Sequence, residues 1–323
     1  MTENSPVLYI VIPCYNEEAV LPVTAPLFLE KLSALVNKGE ISKESRVLFV
    51  DDGSSDGTWE IIKKLSEENS AFCGVSQSRN RGHQNALIAG LGEAAGRCDI
   101  TITIDCDGQD DINAMDDMIA AYKDGCDVVY GVRKERKTDT FFKRWSAETF
   151  YKLINSLGGE VVFNHSDYRL MSSRAVEGLL SFKEVNLFLR GMVPLVGFKS
   201  TSVFYDRQER MAGKSHYPLA KMAAFALDGI TSLSTKPIRF ITILGALVSI
   251  ISIIAIIWVF VIHSIGDTVW GWSSMVCAIF FMGGVQLFSI GVIGEYVGKI
   301  YLETKQRPRV ILKDKTGFPE END

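Results

Sequence analysis

The chain has 323 residues, 47% of them hydrophobic and 23% charged, with a formal net charge of -5. That length suits one large domain or two small ones, and the mild acidity excludes the basic face by which nucleic-acid binders are recognised. Six cysteines (Cys14, Cys73, Cys98, Cys106, Cys126 and Cys277) form no CxxC pair and no zinc spacing, so they read as buried, reduced thiols of a cytosolic protein.

From the amino terminus, VLYIVIP (Val7 to Pro13) has no basic region before it and reads as a first strand, not a signal peptide. A helical stretch from Glu17 to about Val36 follows, then a strand, RVLFVDD (Arg46 to Asp52), and a helix in DGTWEIIKKLSEEN capped by Asp56. CGVSQS, a helix from about His83 to Ala95, DITITID, a helix from Ile112 to Tyr122 and DVVYGVR continue the alternation. Strand and helix repeated in this way predict an α/β fold with a doubly wound, mostly parallel sheet. Ligands of such sheets bind beyond the carboxyl ends of the strands.

Those ends read PCYNEE, DDGSSDGT, SRNRGH, DCDGQDD and YGVRKER, so polar residues gather at one edge. No Gly-rich turn follows the first strand, which excludes a dinucleotide fingerprint and a P-loop. A nucleotide held here needs side chains and a cation. In DCDGQDD, Asp105, Asp107, Asp110 and Asp111 share one turn, and carboxylates this close must be protonated or neutralised.

The last third differs. Phe240 to Ile262 and Thr268 to Gly294 carry no charge, and each exceeds the roughly 20 apolar residues that cross a bilayer. The connector HSIGD has no Lys or Arg. Lys236 and Arg239 precede the pair; Lys299, Lys305, Arg307, Arg309, Lys313 and Lys315 follow it. The positive-inside rule then predicts a multi-pass hairpin in the inner or plasma membrane, with the preceding α/β part and both termini cytoplasmic.

Taken together, P-C-Y-N-E-E, D-D-G-S-S-D-G-T and D-C-D-G-Q-D resemble the family 2 GT-A glycosyltransferases. NHSDYRLMS (Asn164 to Ser172), FLRG (Phe188 to Gly191), YDRQERMAGKSHYP (Tyr205 to Pro218) and the two-helix anchor resemble the polyprenyl-phosphate branch, which includes dolichol-phosphate mannose synthases and bacterial bactoprenol glucosyltransferases. The likeness covers all but the last residues. It implies a GT-A catalytic domain at 1–216, an interfacial juxtamembrane helix at 217–236, two transmembrane helices at 237–302 and a basic cytoplasmic tail at 303–323.

The resemblance also assigns residues. Asp105, Asp107 and Gln109 would supply hard oxygen ligands to Mg²⁺ or Mn²⁺, with Asp107 and Gln109 the direct ligands and Asp105 turned toward ribose or metal. Gly108 and the following DINAM depart from the family's apolar residue and prolines. Pro13, Tyr15, Glu17, Asp52 and Arg79 match donor contacts, while Asp51 can equally form the turn before Gly53. His83 is either a ligand or a helix-start residue. Asp167 matches the usual catalytic base. A lipid monophosphate, with a second pKa near 6, is already an anionic nucleophile, so Asp167 can instead orient groups or aid the metal; His165 reads as structural.

Arg133, Arg144, Arg207 and Arg210 are the cations for two phosphate groups. Arg210, Ser215 and Lys221 fall to the acceptor; His216 stands where the family has a lysine, and Lys214 or Lys221 replaces it. The helical stretch around Arg144 either lies in the headgroup layer or packs on the core. The implied activity is inverting, metal-dependent transfer of glucose or N-acetylglucosamine from a nucleotide sugar, UDP-linked by preference, to undecaprenyl phosphate. A GDP-mannose:polyprenyl-phosphate transferase and a non-catalytic nucleotide-sugar-binding receptor are the alternatives. The partners expected are the nucleotide sugar, the polyprenyl lipid and the bilayer, with no nucleic acid and with a homo-oligomer left open. A processive synthase is disfavoured because Phe141 occupies the Gln position of its QxxRW element.

Overall fold

The computed structural model describes residues 5–134, 165–185, 187–206 and 271–319, with single helical positions between 238 and 261. Strands β1 (Leu8–Cys14), β2 (Arg46–Asp51), β3 (Phe72–Gln77), β4 (Ile100–Thr103) and β5 (Val128–Arg133) alternate with helices α1 (Leu21–Asn37), α2 (Thr58–Glu68), α3 (His83–Ala94) and α4 (Ala114–Lys123). Then come β6 (His165–Ser172), α5 (Ser173–Ser181), α6 (Leu189–Leu195), β7 (Ser200–Tyr205), the long helix α7 (Trp272–Thr304) and β8 (Leu312–Thr316). The eight strands form one sheet in the order β7-β5-β6-β4-β1-β2-β3-β8.

Period-two alternation explains how one apolar strand serves two layers. Leu8, Ile10 and Ile12 of β1 pack with Leu21, Phe28, Ile62 and Met115 on the face covered by α1, α2 and α4. Tyr9 and Val11 pack with Leu87, Leu91, Val176 and Leu189 on the face covered by α3, α5 and α6. A sheet buried on both faces needs such continuous apolar runs. Helix α3 lies so close that a Cβ on Gly90 would sit 2.4 Å from Val11 Cγ1. Cys14, Cys73, Cys106 and Cys126 are buried free thiols, and burial pushes Cys73 up to about 12.

The predicted α1 begins too early. Residues 16–18 are tied to the loop after β2: the Asn16 N–H donates to Ser54 Oγ and the Glu17 N–H to Thr58 Oγ1. Asn16 itself has φ 55°, which an α-helix does not allow; a turn at 18–20 follows, and the helix starts at Leu21 with a proline in its first turn. Asp56 stands one residue outside the cap position of α2, which is Gly57, although its carboxylate accepts the Thr58 N–H at 3.1 Å.

Two strands run against the parallel majority. β6 is antiparallel to both β4 and β5, so its first residues reach the carboxyl edge of the sheet. β8 pairs antiparallel with β3. The basic stretch expected as a tail thus adds a strand beyond β3, with Phe318 under the Arg97 guanidinium at 5.3 Å. Edge strands left open invite wrong pairing, and β8 covers this one.

Helix α7 has 33 residues, or about 50 Å at 1.5 Å per residue. Its 24-residue stretch Phe281–Thr304 is apolar enough to cross a membrane and is 0% buried. Ile279, Leu287, Ile290 and Ile300 all face outward, as do Ile243, Ile250, Ile254 and Trp258 among the helical positions before it. Apolar surface of this extent requires a nonaqueous environment. The chain is a membrane-associated protein.

Candidate active site

The site is built where β1, β2, β4 and β6 meet the carboxyl edge. At the end of β2, Gly53 (φ +67°) has no room for a side chain, since a Cβ there would lie 2.4 Å from the carbonyl carbon of Arg79. The β2 and β3 ends are thereby pressed together. Asp51 makes the expected turn: its Oδ1 accepts the Ser54 N–H and its Oδ2 accepts Ser76 Oγ.

Asp52, expected to meet the nucleoside, is buried. Its Oδ1 accepts Gln77 Nε2 and the Arg81 N–H, and its Oδ2 accepts the Gly82 N–H. Burial raises its pKa, against the lowering effect of the two main-chain donors. In this arrangement Asp52 shapes the loop that launches α3. Tyr15 is 47% exposed at the mouth, Arg79 is exposed, and Pro13 lies inside β1 opposite Val50. Glu17 follows in the loop tied to Thr58.

Asp105, Asp107 and Gln109 are half-buried on the loop after β4. Asp107 Oδ1 accepts the Gln109 N–H at 3.1 Å, and Gly108 takes φ 67°, so the loop turns on a glycine where the family has an apolar residue. Burial, and then the neighbouring carboxylates, raise Asp105 despite His83. Among the described residues no three carboxylate, imidazole or thiolate groups converge as a ready-made cage. Two carboxylates and one amide instead fit a hard cation that keeps most of its coordination for phosphate oxygens and water, the habit of Mg²⁺.

His83 is the first residue of α3 and faces two carboxylates. Its Nε2 lies 3.6 Å from Asp105 Oδ1 and 3.4 Å from Asp167 Oδ2. It also joins the acid loop to β6. Burial opposes the charged imidazole, but the Asp167 and Asp105 carboxylates outweigh it and raise the pKa.

Asp167 enters through the antiparallel β6, whose Arg169 pairs with Thr103 at the end of β4. Arg169 Nη2 donates to its Oδ1 at 2.6 Å, and Arg190 Nη2 to its Oδ2 at 3.3 Å. Burial would raise this carboxyl; Arg190, His83 and Arg169 together hold it well below the usual carboxylate range. Asp167 is therefore an anion throughout the neutral range.

A second network flanks the acid loop. Asp110 is buried, and its Oδ1 accepts Arg133 Nη2 at 3.1 Å and Tyr205 Oη at 2.6 Å. Arg133, expected to face phosphate, thus joins β5 to the acid loop. Arg144, Arg207, Arg210, Ser215 and Lys221 lie outside the described residues. Arg169, Arg190 and Asp110 were not singled out as site residues, although NHSDYRLMS, FLRG and DCDGQDD contain them. Arg190 approaches Asp167 across 23 residues of sequence, a closure that no local pattern announces.

Residues 9–180 match the model for glycosyl transferase family 2, and residues 236–300 match the GtrB C-terminal hairpin. An uncharacterized glycosyltransferase, YkoT, of Bacillus subtilis (strain 168) is 50% identical over 97% of this chain and 93% of its own length. The bactoprenol glucosyl transferase of Shigella phage SfX is 40% identical, over 95% of this chain and 98% of its own. Among solved structures, glucosyl-3-phosphoglycerate synthase from Mycobacterium tuberculosis, crystallised with Mn²⁺, UDP-glucose and phosphoglyceric acid, shares 20% identity at a TM-score of 0.45, over 71% of this chain and 78% of that one.

Proposed function

The chain belongs to glycosyl transferase family 2, and from that premise we propose that it moves a hexose from a nucleotide sugar to a polyprenyl phosphate at the cytoplasmic face of a membrane. UDP-glucose is the preferred donor, undecaprenyl phosphate the acceptor, and the transfer inverts the anomeric centre. The supporting observation is the union of two features in one sheet. Its carboxyl edge carries the acid loop and Asp167, and its β3 edge is closed by β8, the direct continuation of the apolar helix α7. A sugar-transfer site fixed to a membrane helix favours a lipid acceptor. The similarity to bactoprenol glucosyl transferases points the same way.

Asp105, Asp107 and Gln109 would hold Mg²⁺ or Mn²⁺ against the donor diphosphate. When bound, the cation offsets the charge that develops on the departing nucleoside diphosphate. Tyr15, exposed at the mouth, and the Pro13 and Glu17 segment serve the nucleoside. Arg210, Ser215 and Lys221, close in sequence to the first membrane span, serve the lipid phosphate; the guanidinium fork of Arg210 suits phosphate oxygens. Asp167, ionised and clamped by Arg169 and Arg190, orients the groups around the acceptor or aids the metal, while the phosphate oxygen attacks on the opposite side of the sugar from the leaving group.

Pairing of β8 with β3 supports both termini on the catalytic side, since a strand and its partner must share a compartment. Inverted membrane vesicles should form lipid-linked sugar from external nucleotide sugar, whereas right-side-out vesicles should not until they are permeabilised. In the same vesicles a Gly266→Cys chain should react with an impermeant reagent only in the right-side-out preparation. Product formed by intact right-side-out vesicles would contradict the reading.

A further inference from the structure

The end of the membrane helix grips a loop that leads directly to the catalytic carboxylate. Both oxygens of Glu303, in the last turn of α7, accept the Val185 N–H at 2.7 and 2.9 Å. Six residues on, the Arg309 guanidinium donates to the carbonyl oxygens of Phe182 at 2.7 Å and Glu184 at 3.3 Å. Charged groups binding main-chain atoms make strong and directional contacts. The loop so held connects α5 to α6.

At its other end the loop enters the site. The Leu189 N–H donates to Gln84 Oε1 at 2.7 Å, beside His83. The Leu189 carbonyl accepts Arg169 Nη1 at 3.4 Å, while Nη2 of the same guanidinium holds Asp167. The next residue is Arg190, whose Nε and Nη2 lie 3.5 and 3.3 Å from the Asp167 carboxylate. The route from Glu303 to Asp167 thus runs through one short loop with contacts at both ends.

We propose that Glu303 and Arg309 are positioning residues: they fix residues 182–185, ahead of α6, so that Arg190 and Leu189 hold Asp167 in its productive orientation, coupling the seating of the membrane helix to the chemistry. The inference rests on the transferase reading of the Asp167 site. A displacement of about 1 Å in a catalytic group can cost a hundredfold in rate, so a grip at this distance has a measurable effect.

The test uses the full chain in lipid nanodiscs, with wild type, Glu303→Ala, Glu303→Gln, Arg309→Ala, Lys315→Ala and Arg190→Ala, alone and combined with Glu303→Ala. Glu303→Ala should lower kcat roughly ten- to a hundredfold with the KM for nucleotide sugar unchanged. Glu303→Gln, which keeps an oxygen acceptor for the Val185 N–H, should recover most of it. Amide exchange in a peptide covering 182–190 should quicken in Glu303→Ala and Arg309→Ala. In the Arg190→Ala background, Glu303→Ala should add little. Lys315→Ala, which loses a β8 contact to Glu93 that does not touch the loop, should behave as wild type. Additive losses, a parallel fall in nucleotide affinity, or an equal defect in Lys315→Ala would overturn the coupling. If wild type itself transfers no sugar while exchange at 182–190 still quickens in Glu303→Ala, the functional reading fails and the structural grip stands.

Discussion

Asp107→Asn should reduce sugar transfer by about 10³-fold, the scale expected when charge stabilisation of the departing group is lost. The amide keeps the size of the side chain and can still receive the Gln109 N–H through its oxygen, so the loop fold survives. What disappears is one of the two carboxylates offered to the cation. Nucleotide affinity should therefore fall only when Mg²⁺ or Mn²⁺ is present, and both chains should bind nucleotide equally weakly in EDTA. Calorimetric titration with and without metal reads this directly. Full wild-type transfer in EDTA would remove the metal from the account.

The second large effect belongs to Asp167. Asp167→Asn removes the charge facing Arg169, Arg190 and His83, and should cost about 10²–10³-fold in kcat, within the range of a lost general base or orienting group. The pH profile separates those roles. The Asp167 pKa is depressed in the fold, so the stability its charge contributes is present above the unfolded carboxylate value and is lost only as pH falls through the depressed one. Between pH 5 and 8 Asp167 does not change charge. The acid limb of transfer should then follow the acceptor phosphate, near pH 6, and should keep its position in Asp167→Asn while the plateau drops. If the limb vanished with the substitution, Asp167 would be the titrating group and its assignment as an orienting anion would be wrong.

The alternation of apolar runs and helices was readable along the chain because each of β1 to β5 is buried on both faces and α1 to α4 each follow a strand after five to ten residues. The polar strand ends were readable for the same reason: parallel connectivity delivers every one of them to a single edge. The antiparallel strands were not. β8 lies in a charged stretch, LKDKT, with exposed residues at Lys313, Asp314 and Lys315, and only its pairing with β3 makes it a strand. Arg169 is among the most buried side chains, with Asp167 to neutralise it. That pair could not be inferred without knowing that β6 runs beside β4. The start of α1 was misplaced since the loop ties from Asn16 and Glu17 to the β2 end are tertiary contacts.

The likeness in sequence named the acid loop, Asp167 and Arg133, and the fold brings all of them to the carboxyl edge of the sheet, where Arg133 donates to Asp110 and Tyr205. Those contacts follow from burial: an arginine that is 15% exposed beside a carboxylate that is 1% exposed pairs with that carboxylate, because an isolated buried charge is costly.

Sugar transfer from a nucleotide to a polyprenyl phosphate by this membrane-bound chain is open to a direct assay. Purified protein should be incubated with undecaprenyl phosphate and a panel of radiolabelled nucleotide sugars in Mg²⁺ or Mn²⁺, and the label followed into solvent-extractable lipid. One lipid-linked monosaccharide should appear, formed from UDP-glucose and dependent on both metal and lipid. Label recovered only as free sugar or as polymer, or no lipid product from any donor, would contradict that transfer.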